Sequence, residues 1–263
     1  MNKQKRFNDI ARDIKSIKIQ GARNVAKAAL YAYSLIPNEK SKKILLSLRP
    51  TEPMLVNVLE KVNKMDYKKI LKHFDDAQDK INKNTFKLIK TNNIIFTHCH
   101  STNVINALIY SKRKGKKFEV YNTETRPLFQ GRKTALDLKK AGIKVTQFVD
   151  SATMIALIGN NNKVDNVFIG ADALLEKGII NKVGSGMISR IAYDNKIPVY
   201  IIADSWKFSP KNIKIEERDF KEVWKKSSIK IRNPAFEFVP KKYIKGIISE
   251  LGILKYDDFL KKV

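Results

Sequence analysis

The stretch IIFTHCHSTNVINALIYSKRKGKKFEVYNTETRPLFQG, residues 94–131, decides the fold because its hydrophobic pattern changes twice. Its segments 94–97 and 118–121 are short apolar runs rich in β-branched and aromatic residues, which is typical of strands. Between them, residues 102–114 have the length of a helix. A strand, a helix and a second strand in this order predict a βαβ unit with parallel strands.

The same alternation continues toward the C-terminus. Further strands are predicted at 145–149, 167–169 and 199–202, and further helices at 130–141, 151–160 and 184–195. The apolar runs are nearly continuous, as expected for parallel strands that are covered on both faces. The sequence therefore predicts an α/β fold with a mostly parallel sheet.

Residues 1–90 have a helical pattern instead. Phe7, Ile10, Ile14 and Ile17 are spaced by three and four, which places them on one face of a helix. Further helices are predicted at 25–36, from 53 through 62, and at 67–90, with Pro37 ending the second. We therefore expect two domains, a helical one over residues 1–90 and an α/β catalytic one over residues 91–263.

The composition says more about the expected cellular location than about the function. The chain has 52 Lys and Arg against 26 Asp and Glu, a net charge of +26, which attracts polyanions such as RNA or a sugar bisphosphate. A lysine-rich surface without a specific partner is equally consistent with this charge. One cysteine excludes an internal disulfide, and no apolar run approaches the ~18 residues that cross a membrane. With a polar N-terminus, a cytoplasmic location is expected.

The polar segments that follow the predicted strands are the candidate site, because ligands bind beyond the carboxyl ends of parallel strands. Each of the five predicted strands is followed by a polar segment, and together these segments carry hydroxyls, carboxylates and cations, so we expect them to converge on one crevice. The segments are THCHST (97–102), TETRPLFQG (123–131), DSA (150–152), GAD (170–172) and ADSWKF (203–208).

These segments resemble the superfamily that joins sugar-1-phosphate aldose–ketose isomerases to the regulatory subunits of translation initiation factor 2B. The strings that carry the resemblance are ETRPLFQG, VDSA, IGAD, INKVGS, ADSWKF and RNPAFEFVP, together with KIQGAR (18–23) and LRPT (48–51), which are similar to two phosphate motifs. The resemblance implies a helical N-terminal domain on a Rossmann-like domain. It also implies a homo-oligomer that is built from dimers.

Two residues separate the enzymes of this superfamily from the regulatory subunits. The isomerases keep a cysteine after the first strand and an aspartate after the fourth, and here these are Cys99 and Asp172. The string THCHS with GAD is most similar to the ribose-1,5-bisphosphate isomerases, which implies that enzymatic activity. Two alternatives stay open: a methylthioribose-1-phosphate isomerase, and a non-catalytic factor-2B-like subunit with nucleic-acid or initiation-factor partners.

The chemistry of isomerisation explains why such a pair is needed. A hydrogen must leave C2 and return at C1 after the sugar ring opens, which requires a base and an acid but no redox cofactor. We predict that nearby cations stabilise the Cys99 thiolate as the base. Asp172 would be the acid, with burial raising its pKa. His98 and His100 flank the thiol, but two histidines and one cysteine make a poor zinc site, so no metal is predicted.

Anion-binding candidates surround this pair. Ser101, Thr102 and Asn103 begin a predicted helix, whose N–H groups favour an anion. Gln20 departs from the arginine that the resemblance implies, and Arg23 is the cation expected to compensate for it. The full set of predicted substrate-binding residues is Gln20, Gly21, Ala22, Arg23, Arg49, Ser101, Thr102, Asn103, Gln130, Asn181, Lys182 and Lys207.

Overall fold

The computed structural model describes residues 2–49, 52–159, 163–215 and 217–263. Its N-terminal part consists of helices α1 (Lys3–Lys15), α2 (Ala22–Leu35), α3 (Glu39–Leu48), α4 (Pro53–Lys61) and α5 (Tyr67–Leu88). The apolar stripe expected for the first helix is observed, since Phe7, Ile10 and Ile14 are buried. Ile17 lies beyond the helix end and has a positive φ of 63°.

The sequence pattern did not reveal helix α3. It follows Pro37 directly, and the side chain of Asn38 caps it by accepting a hydrogen bond from the Ser41 N–H. Helices α1, α2, α3 and α4 share one apolar cluster that includes Ile14, Val25 and Leu45. This N-cap is therefore the local signal that separates α3 from the preceding turn.

The remaining residues form a seven-stranded sheet, as the α/β prediction requires. Its strands are β1 (Asn93–Thr97), β2 (Phe118–Thr123), β3 (Lys144–Phe148), β4 (Asn166–Ile169), β7 (Val199–Ile202), β9 (Gly246–Ser249) and β10 (Gly252–Leu254), in the spatial order β10-β9-β7-β4-β1-β2-β3. All neighbours are parallel except β10, which runs antiparallel to β9. All five predicted strands are present, within one or two residues of the predicted bounds.

Helices cover both faces of this sheet. They are α6 (Thr102–Arg113), α7 (Gln130–Lys140), α8 (Thr153–Ile158), α9 (Ser185–Asp194) and α10 (Tyr256–Leu260). Ile95 and Phe168 pack with α5, α6 and α7 on one face, while Phe96, Val167 and Ile169 pack on the other. Each fully buried apolar side chain contributes roughly 1.5–3 kcal/mol, so the two faces hold the strand ends in register. The expected helix at 151–160 is a 3-10 turn followed by α8, and residue 160 lies outside the described residues.

A second, smaller sheet was not predicted. It consists of β5 (Ala173–Leu175), β6 (Gly178–Lys182) and β8 (Phe236–Pro240), which are antiparallel. Its first hairpin begins directly after the fourth parallel strand. It thereby carries the chain back toward the carboxyl edge of the large sheet. No described helix has both the length and the apolar character that a membrane crossing requires.

Candidate active site

A cavity of about 440 Å³ lies at the carboxyl ends of the parallel strands. Its walls come from three places: the segments around α1 to α4, the turns that follow the strands, and the small sheet. The lining residues are Ile17, Lys18, Gln20, Gly21, Asn24, Arg49, Glu52, Cys99, His100, Thr102, Gln130, Lys133, Asp172, Lys182, Arg218 and Phe236.

A narrower cavity of about 60 Å³ adjoins the first. The two share Gly21, Cys99, His100, Thr102 and Asp172, so they meet beside the cysteine and the aspartate. The narrow cavity is also lined by Ala22, Arg23, His98, Ser101, Asn103, Gly170, Ala171, Asn181 and Lys207. The structure thus brings all fourteen predicted site residues to one place. Pro50 and Thr51 of the second phosphate motif lie outside the described residues.

Backbone contacts hold Cys99 in an uncommon conformation. Its φ of 65° is in the left-handed region, which non-glycine residues adopt rarely. The Cys99 N–H donates to the Thr125 hydroxyl at 3.0 Å, and the Thr134 hydroxyl donates to the Cys99 carbonyl at 2.7 Å. Thr125 also has a positive φ, and its N–H donates to Asp150. Such conformations persist only where the surroundings impose them, and they are concentrated at functional sites.

Burial decides the protonation state of the thiol. It raises the pKa of Cys99 to about 11, with Asp172 and Asp150 adding to the rise, whereas Lys182 lowers it. The expectation that nearby cations make a thiolate available near neutral pH is therefore wrong. Desolvation of the charged form outweighs the attraction of Lys182. Asp172 is partly exposed, whereas the prediction assumed that it is buried.

The two histidines beside Cys99 are neutral. Burial lowers the pKa of His98, and burial together with Lys133 lowers the pKa of His100 to about 4. His98 donates from Nε2 to the Val183 carbonyl, while His100 accepts at Nε2 from the Lys133 ammonium at 3.1 Å. They pack and form hydrogen bonds, and they do not raise the positive potential.

The small sheet places Asn181 and Lys182 beside Asp172. The Asp172 N–H donates to the Ile180 carbonyl at 2.9 Å, so the hairpin folds directly onto the aspartate. Both residues therefore lie on strand β6 and not in a loop, and both are buried. The Lys182 ammonium lies 5.3 Å from the centre of the Phe236 ring. This hairpin is the structural reason why a cation is held near the thiol.

Two helix N-termini meet at the narrow cavity. Gly21, with φ of 83°, precedes α2, and Ser101 precedes α6. A Cβ on Gly170 would lie 2.5 Å from the Ser101 Oγ. A glycine at position 170 therefore allows the turn after β4 to approach the turn after β1. The first N–H groups of a helix have no intrahelical partners and favour an anion. This geometry places two sets of such groups beside Cys99.

Other predicted binding residues already have protein partners. Arg23 forms an ion pair of 2.5 Å with Asp75, so its charge does not simply replace the missing arginine at Gln20. Arg49 pairs with Glu52 at 3.2 Å, and both side chains are buried. The side chain of Asn103 donates to the side chain of Gln78 at 2.9 Å.

Lys207 and Gln130 are the polar groups that best indicate a ligand. The Lys207 ammonium is buried and donates to the Ala171 carbonyl at 2.6 Å, one residue before Asp172. Within the described residues, the Oε1 atom of Gln130 is buried without a hydrogen-bond partner. A buried acceptor without a partner costs about 1–3 kcal/mol, which a bound hydroxyl would remove.

One group of possible metal ligands occurs within the described residues, away from both cavities. It consists of His73, Asp204 and Glu250, whose ligand atoms lie within 4.8 Å of one another. His73 Nε2 is 3.1 Å from Asp204, and Glu250 accepts from the Ser205 N–H at 3.1 Å. These hydrogen bonds link α5 to the sheet, and no step of the chemistry below uses the group.

Comparison with known proteins decides the family. A model of the initiation factor 2 subunit family, IF-2B, matches residues 51–256, which cover most of the chain. The chain belongs to this IF-2B family. It is 36% identical to ribose 1,5-bisphosphate isomerase of Methanocaldococcus jannaschii, over 92% of this chain and 89% of that protein. It is 32% identical to the Archaeoglobus fulgidus protein of the same name, over 94% of this chain and 88% of that protein.

The fold of this IF-2B member is also found in solved structures. The crystal structure of translation initiation factor eIF-2B from Pyrococcus horikoshii OT3 superposes with a TM-score of 0.84 at 24% identity. It covers 95% of this chain and 97% of that one. This likeness establishes the shared architecture of helices followed by a mostly parallel sheet.

Several lining residues of this IF-2B member were missed by the sequence analysis. They are Ile17, Lys18, Asn24, Glu52, Lys133, Arg218 and Phe236. Lys18 lies within the KIQGAR string, so it was available as a signal. Arg218 and Phe236 reach the cavity only because the chain folds back through strand β8, which no local pattern indicated.

The raised pKa of Cys99 predicts slow alkylation of this residue. At a pKa of about 11 the thiolate fraction at pH 7 is about one in ten thousand, compared with a few per cent for an ordinary thiol. We expect the iodoacetamide rate constant to rise about tenfold per pH unit between pH 7 and 10. Mass spectrometry can follow the single cysteine, with a small free thiol as the control. A plateau below pH 8 would contradict the burial argument.

Proposed function

We propose that this protein is an aldose–ketose isomerase that converts ribose 1,5-bisphosphate to ribulose 1,5-bisphosphate. The observation that carries the proposal is the meeting of two cavities at Cys99 and Asp172. Ribose 1,5-bisphosphate isomerases of two archaea align with more than nine-tenths of the chain. The substrate is therefore a small sugar bisphosphate.

Each cavity is lined by groups that can bind a phosphate. Arg49 and Lys182 line the larger cavity, while Lys207 and the N-termini of α2 and α6 line the narrow one. A sugar with phosphates at C1 and C5 can extend into both, which leaves its C1–C2 bond beside Cys99 and Asp172. A methylthioribose 1-phosphate would leave the cations of one cavity without an anion, and this favours the bisphosphate.

Because the thiol keeps its proton, we exchange the roles expected from sequence, so that Cys99 is the acid and Asp172 is the base. Because its pKa is raised, Cys99 holds its proton near neutral pH, so we assign it the role of acid that protonates the ring oxygen as the bond between this oxygen and C1 breaks. Lys182, whose charge lowers the pKa of Cys99, stabilises the resulting thiolate. The carboxylate of Asp172 then removes the proton from C2, which gives an enol between C1 and C2.

The second half of the reaction restores both groups. Asp172 returns its proton to C1, and the thiolate takes the proton of the C2 hydroxyl as the C2 carbonyl forms. One proton has moved from C2 to C1 and a second from the C2 hydroxyl to the former ring oxygen, and both side chains have regained their starting states. The chain's own residues account for every proton in this sequence. The Oε1 atom of Gln130 is an acceptor available to a substrate hydroxyl.

Steady-state kinetics on three compounds tests the proposal. The pure protein would be given ribose 1,5-bisphosphate, methylthioribose 1-phosphate and ribose 5-phosphate, with the ketose product resolved by chromatography. We expect kcat/KM to be highest for the bisphosphate, because binding energy from the second phosphate positions the reacting carbons. Turnover of methylthioribose 1-phosphate alone would contradict the proposal and indicate a methylthioribose-1-phosphate isomerase instead. No turnover of any of them would favour the non-catalytic, factor-2B-like alternative.

Removing the charge of Lys207 is expected to weaken binding of the bisphosphate. Its ammonium is buried beside Asp172, and a charge-assisted phosphate contact contributes roughly 1.5–3 kcal/mol. We predict that Lys207→Gln raises KM about ten- to hundredfold and also lowers kcat. Lys211→Gln, on the exposed segment that follows, is the matched control. Equal kcat/KM for both variants would remove Lys207 from the phosphate site.

An oligomer built from dimers is proposed from the exposed edge of the large sheet. Strand β3 ends this sheet, and four side chains in the helices and turn that precede and follow it in sequence are 54–59% exposed: Leu136, Val149, Met154 and Ile155. Exposed apolar side chains and an uncovered sheet edge are typical of a subunit interface. Light scattering would measure the molar mass, and a monomer at micromolar concentration would contradict this proposal.

We also infer the domain division and the location. The apolar cluster shared by α1 to α4 is separate from the two that cover the sheet, which supports a helical domain followed by a catalytic one. We keep the predicted division into residues 1–90 and 91–263, although Ile81 of α5 packs in a cluster that covers the sheet. A cytoplasmic location fits an enzyme whose one cysteine works as a thiol.

A further inference from the structure

We infer that Arg218 supplies the forked phosphate contact that Gln20 cannot make. This inference rests on the proposed function, because it names the residue that binds one phosphate of the same substrate. Both residues line the larger cavity. A neutral amide gives phosphate no charge-assisted contact, whereas a guanidinium offers two parallel donors. Arg218, which is far from Gln20 in sequence, thus provides the cation that the KIQGAR string lacks at position 20.

The side chain of Arg218 is largely enclosed, which is rare for an arginine without a dedicated role. Its side chain is 7% exposed, yet it lines a cavity whose other cations are Lys18, Arg49, Lys133 and Lys182. Burying a guanidinium is costly unless its charge is balanced and its donors are used. Glu222 balances the charge, with a distance of 2.6 Å to Nη2.

Glu222 uses only one edge of the guanidinium. Arg218 donates from Nε to both carboxylate oxygens at 3.1 Å and from Nη2 to Oε1 at 2.6 Å. In the part of the chain that the structure describes, these are all of its side-chain hydrogen bonds. An arginine has five N–H donors, so the two on Nη1 and the second on Nη2 remain for a ligand. That pair of nitrogens has the spacing that phosphate oxygens match.

The surrounding contacts fix the guanidinium in place. The Arg218 N–H donates to the Asn233 carbonyl at 2.9 Å, and the Asn233 amide donates to the Asp219 carbonyl and to Glu222. Asn233 lies three residues before Phe236, which pairs with Lys182 across β8 and β6. Arg218 is thus held to the same small sheet that carries Lys182, and a preorganised donor loses little entropy on binding.

The contacts of Arg23, the arginine nearest to Gln20 in sequence, argue against it as the replacement. Arg23 is paired with Asp75 at 2.5 Å and lies 5.8 Å from the centre of the Phe74 ring. It lines only the narrow cavity, whereas Gln20 lines the larger one. Arg218 lines the same cavity as Gln20, so it can reach the anion that an arginine at position 20 would bind.

Four variants test this inference by kinetics and by binding. Arg218→Gln is expected to raise KM for ribose 1,5-bisphosphate, and Kd for the ribulose product by titration calorimetry, about ten- to hundredfold. Adding Gln20→Arg to it should recover at least tenfold of that loss, because the cation returns from the other wall. Arg218→Lys keeps the charge but loses the fork, so a smaller rise of about tenfold is expected. Arg232→Gln is the control, since Arg232 lies on the same segment and is 72% exposed.

The outcomes separate this inference from the proposed function. If wild type binds the product but does not turn over the sugar, the isomerase assignment fails and the Kd values still decide the role of Arg218. Unchanged KM and Kd in folded Arg218→Gln would overturn the inference, as would the absence of recovery with Gln20→Arg. If Arg218→Gln does not fold, Arg218→Lys decides, and wild-type values for that variant overturn it. Wild type that binds neither sugar overturns both.

Discussion

Replacing Cys99 with serine is expected to lower kcat by about two to four orders of magnitude, with little change in fold or binding. Serine is close to cysteine in size, and the contacts that hold residue 99 come from its backbone N–H and carbonyl. A serine hydroxyl is a much weaker acid than a thiol, so it donates a proton to the ring oxygen poorly. Stopped assays with ribose 1,5-bisphosphate would measure the loss.

Two controls make the Cys99→Ser result interpretable. The unfolding temperature and the Kd for ribulose 1,5-bisphosphate should match those of wild type. If the variant instead turns over at a similar rate, the thiol has no part in the chemistry. A deuterium label at C2 then distinguishes the mechanisms. Loss of label to solvent indicates proton transfer by a base, and full retention at C1 combined with an active variant favours hydride transfer.

Asp172→Asn is expected to reduce turnover by at least as much. The carboxylate is proposed both to remove the proton from C2 and to return it to C1, and an amide can do neither. Asp172 also raises the pKa of Cys99, so its removal should bring that pKa down. Iodoacetamide should therefore modify Cys99 faster in Asp172→Asn than in wild type at the same pH.

Asp194→Asn is the matched control for this variant. Asp194 is an exposed acid at the end of α9 whose partner is Arg190, and it lies outside both cavities. Its replacement should leave kcat within about twofold of wild type, since exposed ion pairs contribute only ~0–1 kcal/mol to stability. Turnover by Asp172→Asn at the rate of this control would exclude the carboxylate as the carrier of the proton.

The parallel sheet was predictable because each strand has a strong local signature. Runs such as Val167-Phe168-Ile169 are continuous and apolar, as burial on both faces requires, and the polar turns that follow them mark the carboxyl edge. The position of Cys99 and Asp172 at one edge follows from this topology alone. The cavity that contains both is thus the part of the site that follows most directly from sequence.

The small sheet and what depends on it were not predictable in the same way. Strand β5 has only three residues, and β6 begins with a glycine and ends in Asn181 and Lys182, so neither has the continuous apolar run that marks the parallel strands. Asn181 and Lys182 were found by resemblance, but their strand was not. Arg218 reaches the cavity only through its pairing with Asn233, fifteen positions later, which no local periodicity reports.

The protonation state of Cys99 was mispredicted for a related reason. Cations near a thiol can be recognised from sequence, whereas the degree of burial depends on how several turns pack together. Here burial outweighs Lys182, so the pKa rises to about 11 where a fall was expected. A thiol that keeps its proton is suited to act first as an acid, so Cys99 is assigned the role of acid and not that of base.

Carbon-13 NMR on ribose 1,5-bisphosphate labelled at C2 tests the central claim most directly. The wild-type protein, with no other enzyme or cofactor added, is expected to convert the C2 signal from that of a ring carbon to that of a ketone. The same sample with Cys99→Ser or Asp172→Asn should keep the starting signal over the same period. Binding of the sugar by wild type with no ketone signal would contradict the claim that this site is an isomerase.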